Sequence, residues 1–153
     1  MMGKISIHAL TAKDREAWGT LWEGYLTFYE TTRSQEIYDL TFARLIDADL
    51  KDCAGFLAFD GDEAEGQAVG LVHCLYHIHM WQRAQICYLQ DLYVATTHRN
   101  QGIARKLITA IYAHADARGA EGVYWTTQDF NHMARKLYDK VGVKTPFIKY
   151  KRG

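Results

Sequence analysis

The chain has 153 residues, 48% hydrophobic and 24% charged, a globular mixture able to bury one core without disulfides or a structural metal. Lys plus Arg and Asp plus Glu number 18 each, so no net charge draws the chain to nucleic acid or an anionic membrane. No apolar run suits a signal peptide or a membrane span, and Cys53, Cys74 and Cys87 lack metal or redox spacing; the expectation is a cytoplasmic protein with reduced thiols and no metal.

Ile5 and Ile7 alternate within residues 4–9, which predicts a short first strand. Thr11 with Asp14 three positions on has the form of a capping box. Trp18, Leu21, Trp22, Tyr25 and Tyr29 then recur at helical spacing to about Glu30. A second helix is expected from Ser34 to about Asp49, with Ile37, Tyr38, Phe42, Leu45 and Ile46 on one face. Gly55–Phe59, Gln67–Met80 and Ile86–Val94 read as an antiparallel meander, the first two joined by the turn-rich loop Asp60–Gly66. The helix expected over 101–118 puts Ile103, Leu107, Ile108, Ile111 and Tyr112 on one face and stops at Arg118-Gly119. A strand at Val123–Thr126, a helix at 131–141 before Gly142, and a last strand at Phe147–Tyr150 follow. The order β-α-α-β-β-β-α-β-α-β predicts an α/β fold, with a mixed, mostly antiparallel sheet flanked by helices in a single domain over 1–153.

The junction after Ile86–Val94 carries the most chemical information. A short polar loop leads into a helix whose first turn holds the small residues Gly102 and Ala104 on either side of Ile103. The first N–H groups of a helix lack internal partners and sit at the positive end of its dipole. Small side chains let a pyrophosphate approach those N–H groups, and Arg99 and Arg105 add positive charge. No Gly-Lys-Ser/Thr follows, which excludes a P-loop, and the glycines are too few for a dinucleotide fingerprint.

Arg99-Asn100-Gln101-Gly102-Ile103-Ala104, after Leu89-Gln90-Asp91-Leu92-Tyr93-Val94, resembles motif A of the GNAT superfamily of N-acetyltransferases, Arg/Gln-x-x-Gly-x-Gly/Ala. Asn131, Ala134, Tyr138 and Gly142 fit a second element, Asn-x-x-Ala-x-x-x-Tyr-x-x-x-Gly. The likeness spans roughly residues 4–150 and has the look of the polyamine- and histone-type small-amine branch. It implies the GNAT fold, acetyl-coenzyme A as cosubstrate, and acetyl transfer to a primary amine of a small molecule such as a polyamine or amino acid. It also implies a homodimer, since this fold often pairs subunits through C-terminal strands.

By the same resemblance, Leu92, Tyr93 and Val94 offer backbone groups to the pantetheine arm, and residues 99–105 hold the pyrophosphate. Asn131 and Ala134 line the donor site, with Asn131 also a good helix cap. Tyr138 protonates the departing thiolate. The polyamine-type relatives carry Glu-Asp where this chain has Gln90-Asp91, and Gln90 cannot accept a proton. Asp91 is then the candidate base, provided a bulge turns it to the acceptor side; water or Glu30 is the substitute. Trp22, Tyr25, Tyr29 and Glu30, with Gln90, Trp125 and Asp129, are candidate walls of the acceptor site. His73, His77 and His79 alternate without an acidic partner nearby, which suits a half-exposed polar strand face better than zinc. His98, next to Arg99, is expected to be a solvated loop residue, with a phosphate contact as the alternative. Two other readings fit the same residues: a protein-lysine or histone acetyltransferase, and a coenzyme A-binding sensor without catalysis.

Overall fold

The computed structural model describes residues 3–62 and 65–153; Met1-Met2, and Glu63 and Ala64 within the expected Asp60–Gly66 loop, lie outside the described residues. One sheet has the strand order β1 (Ile5–Ala9), β2 (Cys53–Asp60), β3 (Gln67–His77), β4 (Ile86–Val94) and β5 (Val123–Tyr124). The first four pair antiparallel, and β5 joins β4 in parallel. The flanking helices are α1 (Arg15–Phe28), α2 (Gln35–Ile46), α3 (Ile103–Arg118) and α4 (His132–Val141). This is the mixed, mostly antiparallel architecture that the sequence predicts.

Local chemistry sets the element starts. The Asp14 carboxylate accepts from the Thr11 backbone N–H at 2.8 Å, so the expected box forms and steers a single 3-10 turn into α1. Ser34 caps α2, and Asn131 caps α4 by accepting from the Ala134 N–H at 3.3 Å. Alternation along the strands then divides the core in two. On one face, Trp18, Leu21, Trp22 and Leu26 of α1 and Phe42 of α2 cover Leu57, Phe59 and Leu71. Trp18 is wholly buried and stacks on Trp22 at 5.1 Å, a ring whose removal costs about 3–5 kcal/mol. On the other face, Ile103, Leu107, Ile108 and Ile111 of α3 cover Val69, Val72, Cys74 and Leu89. Leu137, Tyr138 and Val141 of α4 pack at the margin of that second cluster.

Several boundaries depart from expectation. The last strand does not form: Phe147–Tyr150 belongs to an exposed C-terminal stretch without regular structure. A strand needs a ladder to satisfy its backbone, and β5 is a two-residue edge with no described strand beyond it. β5 itself stops at Tyr124 rather than Thr126. β3 ends at His77 because the chain turns beyond it, where the Gln82 N–H bonds the His79 carbonyl at 3.0 Å. Helix α3 starts at Ile103 rather than 101, since Gly102 has φ 78°, a left-handed backbone outside the helix.

Candidate active site and donor cleft

A cleft of about 490 Å³ opens where β4 and β5 part. The two strands pair only at Cys87–Val123 and Tyr88–Tyr124, so β5 leaves the cleft-side edge of β4 uncovered from Leu89 to Val94. An extended chain of amides can add there as a strand would. Of the residues expected to hold the donor, all but Gln101 line this cleft: Leu92, Tyr93, Val94, Arg99, Asn100, Gly102, Ile103, Ala104, Arg105, Asn131, Ala134 and Tyr138.

The loop into α3 is shaped for close approach. Asn100 and Gly102 both have positive φ, 62° and 78°, and only the second is a residue type free of strain there. A Cβ built on Gly102 would meet nothing within 4 Å, so backbone conformation rather than crowding accounts for the glycine. The first bond inside α3 runs from the Lys106 N–H to the Gly102 carbonyl at 3.1 Å. The N–H groups of Ile103, Ala104 and Arg105 precede it and are free of helical partners. His98, Arg99, Arg105, Lys136 and Lys140 line the cleft, and no acidic residue among the described ones does; Asp91 lies behind the lining. That donor set fits a pyrophosphate followed by an amide-bearing arm.

Two side chains near the loop differ from expectation. Arg99 is held by its own fold: its Nε donates to the Val94 carbonyl at 3.1 Å, and its guanidinium lies over Phe28 and Tyr93. His98 is not a solvated loop residue, because its Nε2 meets Asp60 at 3.0 Å and its ring is mostly covered.

Behind the cleft, the register of β3 and β4 decides which way Asp91 faces. His73 pairs with Asp91, and the next pair is Cys74 with Leu89, so Gln90 is an extra residue on β4. Leu89 packs against α3. Asp91, two positions on, would share that face in a regular strand. The bulge turns it instead toward α1, where it is buried against His73. Gln90 is left exposed.

Asp91 is one end of a buried hydrogen-bonded chain. The Trp18 indole Nε1–H donates to His73 Nε2 at 2.8 Å, and His73 Nδ1 lies 2.8 Å from Asp91 Oδ2. The expected half-exposed histidine face is therefore corrected: His73 is 5% exposed, and His79 lies outside β3. Of the three, His77 alone is half-exposed on the strand, bonded to the Tyr124 hydroxyl at 2.8 Å. Burial acts to raise the proton affinity of Asp91, but hydrogen bonds from His73 and the facing donors of Tyr25 and Trp22 outweigh it and hold the carboxyl below its ordinary value. The Trp22 N–H is enclosed and completes no hydrogen bond of normal length.

Tyrosines converge above this carboxylate. Burial and the Asp91 charge push the Tyr25 hydroxyl well above its usual range. Tyr29 is raised by burial and then by Asp91 and Tyr88. Tyr138 is pushed up to about 12 by burial, with Tyr29 adding to it. Tyr25, Tyr29 and Tyr138 share the lining of the cleft, and Tyr25 faces Asp91. Helix α1 reaches β4 because Gly24 has no side chain; a Cβ there would lie 2.6 Å from the Tyr93 hydroxyl.

The remaining acceptor candidates lie elsewhere. Trp22 is a core residue stacked on Trp18, with its ring edge toward Asp91. Glu30 follows α1 with φ 57° and is exposed. Trp125 backs Tyr138, its ring 5.6 Å away edge-on, and Asp129 is a solvent-facing partner of Arg135. None of these, nor Gln90, lines the cleft. Sequence reasoning missed Lys136 and Lys140, whose four-residue spacing puts both on one face of α4. It also missed Tyr88, which alternation along β4 could have flagged, and the His73–Asp91 pair, which no local pattern encodes.

A family model described as the acetyltransferase (GNAT) family matches residues 18–143. The chain is 42% identical over 149 residues to the D-amino-acid N-acetyltransferase HPA3 of Saccharomyces cerevisiae, a match covering 97% of this chain and 91% of that one. It is 30% identical over 95 residues to a thialysine N-epsilon-acetyltransferase of Caenorhabditis elegans, covering 62% and 56% of the two. Among solved structures, AAC(6')-Iy in complex with the bisubstrate analog CoA-S-monomethyl-acetylneamine superposes with a TM-score of 0.83 at 17% identity, over 99% of each chain.

Proposed function

Since this chain belongs to the acetyltransferase (GNAT) family, we propose that it moves an acetyl group from acetyl-coenzyme A to the primary amine of a small molecule, with amino acids as the first class to test. The observation that carries the reading is the cleft itself, where Tyr25 and Tyr29 of α1 and Tyr138 of α4 stand beside the open edge of β4, with Asp91 turned by the bulge at Gln90 toward Tyr25 behind that lining. The yeast relative's action on D-amino acids supports the acceptor class. We propose one domain for residues 1–153, holding both substrates, and no metal in the chemistry.

In this proposal, the N-terminus of α3 takes the pyrophosphate, with Arg105, Lys136 and Lys140 as countercharges. The uncovered edge of β4 from Leu92 to Val94 takes the pantetheine amides, and a backbone N–H there faces the thioester oxygen and stabilises the oxyanion as it forms. Arg99 braces the loop, and Asn100 and Gln101 complete its turn. Asn131 and Ala134 close the cleft from α4.

The acceptor ammonium enters over Tyr25 and Tyr29 and is held by the fixed charge of Asp91. An alkylammonium of pKa near ~10 is about one part in 10³ neutral at pH 7, an effective cost of roughly 4 kcal/mol. Asp91 draws the ammonium in and takes its proton as nitrogen attacks the thioester carbon. The tetrahedral intermediate then collapses, the C–S bond breaks, and the Tyr138 hydroxyl gives its proton to the thiolate. With Tyr138 at about 12 and a thiol near ~8.5, that transfer is uphill by about 5 kcal/mol if complete before bond cleavage, so it is concerted with C–S breakage.

The experiment is thiol release from acetyl-coenzyme A across a panel of D- and L-amino acids, polyamines and a lysine peptide, with Tyr138→Phe alongside. Turnover with a small amine is the expected result; coenzyme A binding without turnover on any amine overturns the reading.

We also propose a homodimer joined through the C-terminal stretch. Phe147, Ile148 and Tyr150 are 81%, 78% and 87% exposed, an apolar alternation without a strand partner among the described residues. Light scattering at a monomer mass across the working concentration range removes it. The three cysteines are free, which suits a reducing, cytoplasmic setting, and no helix among the described residues is long and apolar enough to cross a membrane.

A further inference from the structure

The buried chain Trp18–His73–Asp91 has a definite direction. An indole N–H only donates, so His73 Nε2, 2.8 Å from Trp18 Nε1, must be a bare acceptor nitrogen. The ring proton is then on Nδ1, where it donates to Asp91 Oδ2 at 2.8 Å. Trp18 is wholly buried and His73 and Asp91 are each 5% exposed, so bulk water does not replace either bond.

We propose that His73 is a positioning residue for acetyl transfer: its tautomer, locked by Trp18, occupies Oδ2 and holds Asp91 as a carboxylate whose Oδ1, on the side of the Tyr25 and Trp22 donors, is the oxygen that serves the amine. This rests on the proposed role of Asp91 as ammonium anchor and proton acceptor. The lock makes His73 a holder and not a relay. A proton taken by Asp91 stays on Oδ1, because Oδ2 receives the Nδ1–H and Nε2 is filled by the indole. The ammonium N–H bond breaks, an Oδ1–H bond forms, and the proton returns toward the cleft after product leaves. The bulge at Gln90 serves the same end by putting Asp91 opposite His73.

The groups facing Asp91 are known from every side. Tyr25 and Trp22 approach from α1 and His73 from β3; the Asp91 charge also reaches Tyr29, which feels Tyr88 of β4 and in turn acts on Tyr138 of α4. Arg15, over the Trp18 ring at 5.4 Å, is the cation on the far side of the chain. Among these, His73 makes the direct 2.8 Å bond to the carboxylate. Loss of that bond raises the pH at which Asp91 takes up a proton.

The test combines ring-nitrogen NMR on the intact protein with the pH dependence of kcat/KM in variants. In the wild-type protein at neutral pH, the His73 nitrogens resolve as a protonated Nδ1 and a bare Nε2. Protonated Nε2 overturns the proposal without any variant. His73→Leu moves the acidic limb of kcat/KM to higher pH and lowers its plateau by about tenfold or more. His73→Asn, whose amide N–H can take the place of Nδ1–H, restores the limb toward the wild-type position. Trp18→Phe frees Nε2 and allows the other tautomer, so its limb moves in the same direction as that of His73→Leu. An unmoved limb in folded His73→Leu, while Asp91→Asn loses activity, overturns the positioning role and leaves Asp91 standing. Full activity in Asp91→Asn removes the Asp91 reading itself, and the inference with it.

Discussion

The two ends of the cleft are built in opposite ways. The donor end is almost contiguous: the edge of β4, the loop 95–102, the first turn of α3 and the exposed face of α4, all within residues 92–140. In the proposed function it works largely through backbone N–H groups, beside cationic side chains and an apolar lining that includes Leu92, Ile103, Met133 and Leu137. The acceptor end draws on Trp18, Tyr25 and Tyr29 of α1, His73 of β3, and Tyr88 and Asp91 of β4. It works through side chains, most of them buried, joined across 73 residues of sequence from Trp18 to Asp91. A backbone site tolerates change in the residues around it, whereas a side-chain network fails at any link. In the proposed function, the acceptor end is therefore where specificity resides.

Substitutions at the two ends should separate accordingly. The largest effect is expected from Asp91→Asn, which lowers kcat/KM for the amine by about 10²–10⁴ while coenzyme A binding by calorimetry is unchanged. Parallel loss of coenzyme A binding would merge the two ends and break the contrast. Tyr138→Phe should come next, with kcat down about 10²-fold and little change in the KM of the amine. Because Tyr138 is pushed up to about 12, the wild-type kcat should show no fall from loss of its proton up to pH 10.

Gly102→Ala forces a Cβ onto a left-handed backbone and should cost about 1–2 kcal/mol. The expected signature is a raised KM for acetyl-coenzyme A with kcat nearly intact; an unchanged KM would mean that the loop does not shape the donor site. Asn131→Ala should be the mildest, about 1 kcal/mol in denaturant stability from the lost cap of α4.

Stability against pH probes the acceptor end without substrate. The Asp91 carboxyl is lowered on folding, so its contribution is fully present above the unfolded carboxylate value near ~4 and is lost as pH falls through the lower folded value. The stability gap between wild type and His73→Leu should narrow on acidification through that window; an unchanged gap would point to packing alone.

Sequence legibility follows the same division. Arg99 to Ala104 and Asn131 to Tyr138 were recognisable because a helix start and a helix face are local, so a family motif carried on them survives as a short spacing of residues. The capping box at Thr11 and the order of strands and helices were legible for the same reason. Phe147–Tyr150 has strand alternation yet remains unpaired, because a strand depends on a neighbour that alternation does not supply. Gln90 is another kind of case. Nothing in Leu89-Gln90-Asp91 reveals a bulge, since it arises from the register between β3 and β4 and their packing against two different helix layers.

The sequence by itself determined a helix start suited to an anion, from a glycine with small residues around it, and its resemblance to the family motif pointed to the proposed donor site. Only the tertiary structure decided which face Asp91 occupies and which nitrogen of His73 carries the proton. Those follow from one extra residue in a strand and one indole donor, and both act through contacts between residues distant in the chain.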